Sequence, residues 1–264
     1  MANKYLSRGD APFGAETWET LDRTVVEAAK SVLAGRRLLH IDGPYGLGLK
    51  AVSTADPEVE SGPIVGSTIP LVLVHKGVTI AKRDLAAHER DGVPLDTGAL
   101  AEAAIECAQI EDCIVFQGSG DAPGLLTVEG RTGLALSSWD EVGTAAEDLI
   151  RAVTALDGAG FHGPYCVALA PARYNLLLRR YPRGNYSEME HARTIATAGV
   201  VKAPVLESGG VFLASGRRFA SIVLGQDMSL GFIGPAAERL EFSISESLAL
   251  VIRQPGAVCA LLEG

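Results

Sequence analysis

The chain has 264 residues, 47% hydrophobic and 21% charged, a balance ordinary for a globular protein long enough to bury a substantial core. Its 32 acidic and 23 basic residues leave a net charge of −9, which excludes a nucleic-acid surface built on net positive charge. No apolar run approaches the roughly 18 residues of a membrane helix, and the first residues, MANKYLSRGDAPF, lack the apolar core of a signal peptide, so a cytoplasmic location is expected.

Residues 14–35 place Trp18, Leu21, Val25, Ala28, Ala29 and Val32 at helical spacing, and Gly35 reads as the residue that ends the helix. RRLLHID (36–42) follows as a short strand, with Arg36, Leu38 and His40 on one face. Residues 50–82 have β-branched runs broken by Pro and Gly and no helical period, which predicts a long hairpin or arm. A lone two-stranded ribbon is marginal in water, so such an arm needs partners, plausibly on another subunit.

Residues 96–116 carry Leu100, Ala103, Ala104, Cys107, Ile110 and Ile114 along one stripe, predicting a long helix of small residues. A second helix is expected from Thr144 to Leu156, ending at Gly158. HGPYCVALAP reads as a buried strand, and Pro171 opens a third helix at the position where its missing N–H matters least. Ser187 and Glu190 have capping-box spacing at the head of a further helix that Gly199 ends. GVFLAS, FASIVLG, RLEFSIS and SLALVIR read as strands parted by short turns. This order is α+β rather than an alternating doubly wound pattern.

Candidate chemistry is thin. GPYGLG (43–48) follows a strand as phosphate loops do, but no Lys-Ser/Thr pair and no helix follow it, so it reads as a structural turn. QGSGD around Ser119 lacks both glycines of a nucleophile elbow and reads as a loop after a strand. Glu111 and Asp112 are adjacent helical carboxylates pointing about 100° apart, best explained as a solvated helix end. The cysteines, 107, 113, 166 and 259, are scattered and read as free buried thiols, Cys113 included; the five histidines form no H-x-x-x-H pair. No catalytic residue, metal ligand or cofactor site is assigned. Arg179, Arg180 and Arg183 with Tyr181 and Tyr186 make an exposed loop, or one lining a symmetry axis.

Five stretches in order, APF…W (11–18), AGRRLLHIDGPYG (34–46), EDCIVFQG (111–118), GPYCVALAPARYNLL (163–177) and LGQDMSLGF (224–232), resemble the encapsulins, bacterial and archaeal shell proteins. The resemblance implies the tailed-phage major-capsid fold, with a peripheral domain, an axial domain and an extended loop. It assigns 1–49, 83–129 and 221–264 to the peripheral domain, 50–82 to the extended loop and 130–220 to the axial domain. It implies self-assembly into an icosahedral shell of roughly 60 copies or a larger multiple. The shell would enclose a cargo enzyme, a ferritin-like iron-storage protein or a dye-decolorising peroxidase, captured through the cargo's C-terminal peptide.

By the same resemblance, the peptide groove maps onto Val25, Ala29, Leu33, Arg36, Leu38, His40, Asp227, Leu230 and Phe232. His40 stands where some relatives carry an acidic residue. Tyr181, Pro182, Arg183, Gly184, Asn185 and Tyr186 match the five-fold pore loop, through which ions and metabolites would pass. Some relatives bind a flavin on an aromatic residue after the extended loop; TIAKRDL has none, so no flavin is expected. Leu38→Asp with Leu230→Asp should then abolish cargo capture in intact shells. The alternative is a prophage major capsid protein of the same fold. A hydrolase or a secreted antibacterial protein is a third reading, with neither a triad pattern nor a secretion signal to support it.

Overall fold

The computed structural model describes residues 4–56, 61–182 and 184–263. Helix α1 (Ala15–Val32) buries the stripe of Trp18, Leu21, Val25 and Ala29. It stops before Gly35 because Gly35 opens a second helical turn, α2 (Gly35–Leu38). The N–H groups of Ala34 and Gly35 each donate to the Asp112 carboxylate at 2.8 Å. This replaces the first half of the strand expected over 36–42, of which β1 (His40–Asp42) remains. In the turn that follows, Gly43 has φ +111° and a Cβ there would lie 2.5 Å from the Leu224 carbonyl oxygen. The N–H groups of Tyr45 and Gly46 donate to the carbonyls of Leu224 and Gly225, so GPYGLG is a structural turn.

Strands β2 (Ala51–Ser53) and β3 (Thr68–Pro70) form an antiparallel hairpin with Ala51 opposite Pro70. β4 (Val72–Ala81) follows, then helix α3 (Lys82–Asp91), which the sequence did not reveal. Its one large apolar residue, Leu85, is buried, too little to leave a periodic signal. α4 (Gly98–Gln117) buries Leu100, Ala104, Cys107, Ala108 and Ile114, while Ile110 is exposed. Glu111 and Asp112 are 0% and 2% exposed, contrary to a solvated helix end. The amides that Asp112 accepts lie about 80 residues upstream, outside any local pattern.

The QGSGD turn joins β5 (Gly118–Ser119) to β6 (Ala122–Pro123) and follows a helix rather than a strand. Then come β7 (Thr132–Ala135), α5 (Thr144–Gly158), β8 (Tyr165–Leu169) and α6 (Pro171–Leu176), with Pro171 at its first position. α7 (Glu188–Ile195) has the expected capping box: Glu190 N donates to Ser187 Oγ at 3.2 Å, and Ser187 N to Glu190 Oε2 at 2.6 Å. It ends at Ile195, and Gly199 instead begins β9 (Gly199–Lys202). β10 (Gly210–Ala214), β11 (Ala220–Leu224), β12 (Ser229–Ala236), β13 (Arg239–Ile252) and β14 (Val258–Leu262) complete the order. β13 is one strand where two were expected, because Glu246 and Ser247 are buried rather than forming a turn.

The chain divides into two compact units, the first being Met1–Val32, Gly43–Glu111 and Val223–Ala249, the second Leu33–Asp42, Asp112–Ile222 and Leu250–Gly264. β11 and β13 have residues in both. In the first unit β13 pairs antiparallel with β4, from Arg239 opposite Ala81 to Leu248 opposite Val72, and with β12, Phe242 opposite Phe232. An aromatic cluster covers this sheet: Trp18 lies 6.1 Å from Phe242 and 5.1 Å from Phe13 between ring centroids. Arg8 stacks over Trp18 at 4.0 Å and pairs with Asp22.

The second unit has a five-stranded sheet in the order β7-β14-β10-β8-β9, with β7 parallel to β14 and β9 parallel to β8. Its core gathers Trp139, Leu149, Leu156, Leu177 and Phe212. A buried carboxylate organises one edge of that core. Asp148 accepts from Trp139 Nε1 at 2.7 Å, Ser137 N at 2.8 Å and Ser137 Oγ at 2.9 Å, and pairs with Arg151. Burial pushes the carboxyl up, but the bonds from Arg151, Trp139 and Ser137 prevail and hold it below the usual range. A depressed folded pKa adds stability above the unfolded value that is lost as pH falls through the folded one. The thermal midpoint should therefore drop below about pH 4, and Asp148→Asn should be less stable at neutral pH with a shallower acid decline. An unchanged neutral midpoint in that variant would sink this assignment.

Candidate functional site

The nine groove residues taken from the sequence divide between the units. In the first, Val25, Ala29, Leu230 and Phe232 are buried at 8% exposure or less, and Asp227 is exposed. In the second, Leu33 and Leu38 are buried, Arg36 is half-buried and His40 exposed. Leu38 lies on the helical turn α2, so the shared strand face of Arg36, Leu38 and His40 does not exist. The polar members are the ones that reach the surface. Leu38→Asp with Leu230→Asp would bury two unpaired carboxylates and report on folding instead of cargo capture.

The first unit contains a mainly apolar cavity of about 490 Å³ walled by Phe13, Leu85, Phe232, Pro235 and Leu240, with Asp10, Lys82 and Glu89 as its polar groups. Phe232 alone of the nine lines it. Helix α3, invisible in the apolar pattern, supplies Lys82, Leu85 and Glu89. A wider cavity of about 850 Å³ in the same unit is lined by Tyr5, Tyr45, Gln226 and Asp227. Concave, largely apolar walls with few polar groups suit an apolar side chain or small ligand.

The loop read as a pore element belongs to the second unit and is held by its own bonds. Tyr181 N donates to the Tyr186 carbonyl and Gly184 N to the Tyr181 carbonyl, both at 3.2 Å. The Tyr181 and Tyr186 rings lie 4.9 Å apart, and Tyr181 Oη is 2.8 Å from His191 Nδ1. Pro182, Asn185 and Tyr186 are exposed, and Gly184 is half-buried. Arg183 lies outside the described residues. Beneath the loop, buried Glu188 accepts from Arg179 Nε at 2.9 Å and from Gly143 N at 2.8 Å. These contacts tie the described residues of the loop to one another and to His191; they do not make a nucleophile–base pair.

Among the described residues no group of three His, Cys, Asp or Glu side chains is arranged to hold a metal ion. Burial pushes the thiols of Cys107 and Cys166 up to about 12 and that of Cys259 to about 11. Cys113 is exposed, not buried as expected, and partial burial and the neighbouring Asp112 carboxylate raise its thiol too. A thiol reagent at neutral pH should label Cys113 alone in folded protein, slowly, and all four cysteines after unfolding, read by mass. Equal labelling of Cys166 in the folded state would contradict the packing.

A family model described as "Encapsulating protein for peroxidase" matches residues 3–249. The type 1 encapsulin shell protein of Myxococcus xanthus is 32% identical over 97% of this chain and 96% of its own. The chain belongs to the encapsulin family. Among solved structures, a virus-like particle from Pyrococcus furiosus matches with a TM-score of 0.75 at 22% identity, covering 94% of this chain and all of that one. The capsid of Myoviridae phage XM1 matches with a TM-score of 0.58 at 13% identity over 84% and 88%. The encapsulin chain thus has the phage major-capsid fold, and its role is structural, that of a shell protein of a capsid-like compartment.

Proposed function

We propose that this encapsulin assembles in the cytoplasm into a closed icosahedral shell of about 60 copies, or a larger multiple, around an enzyme cargo. The observation that carries the reading is the family match over 3–249 together with a capsid fold extending through nearly the whole chain. The family's description favours a peroxidase as cargo, with a ferritin-like iron-storage protein second. For the cargo's C-terminal peptide, Arg36 and His40 are the surface candidates in the second unit and Asp227 in the first, while Val25, Ala29, Leu230 and Phe232, and Leu33 and Leu38, are buried each within its own unit. Residues 181–186 line a pore for small ions and metabolites, a reading supported by the exposure of Pro182, Asn185 and Tyr186.

Repetition supplies the binding strength. A contact burying on the order of 1,600 Å² is modest alone, but each subunit of a closed shell makes several. Expressed alone, the chain should give uniform hollow particles by light scattering and negative-stain microscopy. Their mass should be about 1.7 MDa for 60 subunits of 27.6 kDa, or a multiple of that. A co-expressed peroxidase should enter them, and the same peroxidase without its C-terminal segment should stay outside. A monomeric or dimeric chain would overturn the shell; retention of the truncated peroxidase would overturn the peptide.

A further inference from the structure

Within the second unit, three nitrogen-bearing side chains converge on one carboxylate. Asp42 is 8% exposed; its Oδ1 accepts from Arg217 Nε at 2.7 Å and lies 3.4 Å from His40 Nε2, and its Oδ2 lies 3.8 Å from Arg253 Nη2. Arg253 is fixed from its other nitrogen, Nη1 donating to the Arg217 carbonyl and to Ser221 Oγ, both at 2.9 Å. Burial pushes the Asp42 carboxyl up, but the Ser221 hydroxyl and the Arg217 guanidinium hold it below the usual range, so it is ionised at neutral pH.

The charges do not cancel. Two guanidiniums face one carboxylate, in a chain whose net charge is −9. Arg217 uses only Nε on Asp42; its side chain is 63% exposed, and its two terminal nitrogens have no hydrogen-bond partner among the described residues. His40 is half-exposed beside the same carboxylate, and Arg218, next in the chain, is exposed with its guanidinium 4.5 Å from the Phe219 ring centroid. A guanidinium anchored through Nε presents its remaining N–H groups as a planar fork that matches two oxygens of an oxyanion.

We propose that Arg217, Arg253 and His40 form an oxyanion-binding site that takes a carboxylate or phosphate group. Arg217 supplies the fork, His40 a second donor, and the Asp42–Arg253 pair holds both in place. Because Arg217 is exposed, binding is weakened by salt. All these residues lie in one unit, so the site is complete in a single chain and does not depend on the shell reading.

The test uses the purified full chain in whatever assembly state light scattering records, in phosphate-free buffer at neutral pH. Inorganic phosphate is titrated calorimetrically, and a fluorescent apolar peptide carrying one Glu is titrated by anisotropy beside its Gln counterpart. Arg217→Gln should weaken binding about tenfold or more, as expected for loss of a charge-assisted bidentate contact, and His40→Gln should weaken it less. Because Arg217 also bonds the buried Asp42 carboxylate, its variant should melt lower and is titrated well below its own thermal midpoint, where its circular dichroism matches wild type. Phosphate binding without discrimination between the peptides supports the site with a small free anion as ligand. Preference for the Glu peptide, reversed by phosphate, supports it with a peptide carboxylate as ligand. Absence of binding by both probes, or equal affinities in Arg217→Gln, overturns it.

Discussion

Asp112→Ala should destabilise the protein by about 3 kcal/mol or more, since each buried N–H stripped of its acceptor costs roughly 1–3 kcal/mol. Asp112 is 2% exposed, and both its oxygens are engaged, one by Ala34 N and one by Gly35 N. The same carboxylate places a negative charge on the first amides of α2, where the helix end is positive. The neighbourhood has no slack to compensate: a Cβ on Gly35 would meet Val115 Cγ1 at 3.0 Å and Asp112 Oδ1 at 3.2 Å. Asp112→Asn keeps one acceptor and should fall between wild type and Ala. Denaturant midpoints of the three proteins test this, and coincident midpoints for Ala and wild type would refute it.

Ile64→Asp with Val65→Asp should leave each subunit folded and abolish particle formation. Ile64 is 57% and Val65 76% exposed, beyond the hairpin base where Val52 pairs with Ile69. Adjacent exposed aliphatic residues gain nothing from burial within this chain and, on the proposed shell reading, suit a surface covered by a neighbouring subunit. Two carboxylates desolvated at every such contact, repeated around a shell, exceed what a modest interface tolerates. Circular dichroism should match wild type while the light-scattering mass falls from megadaltons to one or a few subunits. Particles at normal yield would show that Ile64 and Val65 make no assembly contact.

Much of the architecture was legible because it rests on local chemistry. The stripe from Trp18 to Ala29 buries as its spacing demands, and Pro171 and the Ser187–Glu190 box start their helices where their hydrogen-bonding roles require. The lack of helical period after residue 50 marked an extended segment, and β2, β3 and β4 occupy it. Helix α3 was missed because Leu85 is its one large apolar contact, and β13 was divided because buried Glu246 and Ser247 resemble turn residues. The candidate groove was the least legible part. A leucine under a surface and a leucine on it look alike in sequence, and the structure puts Leu38 and Leu230 underneath.

The sequence by itself determined the α+β class, the positions of the main helices, the acidic surface and, through its ordered motifs, the family. These follow from periodicity, capping and composition, which act over a few residues. Only the tertiary structure decided that Asp112 serves amides at 34 and 35, that Cys113 is exposed, and that Asp42 gathers Arg217, Arg253 and His40. Those arrangements join residues up to about 210 positions apart, and burial and charge pairing at such separations are set by which elements pack together, which no local pattern encodes.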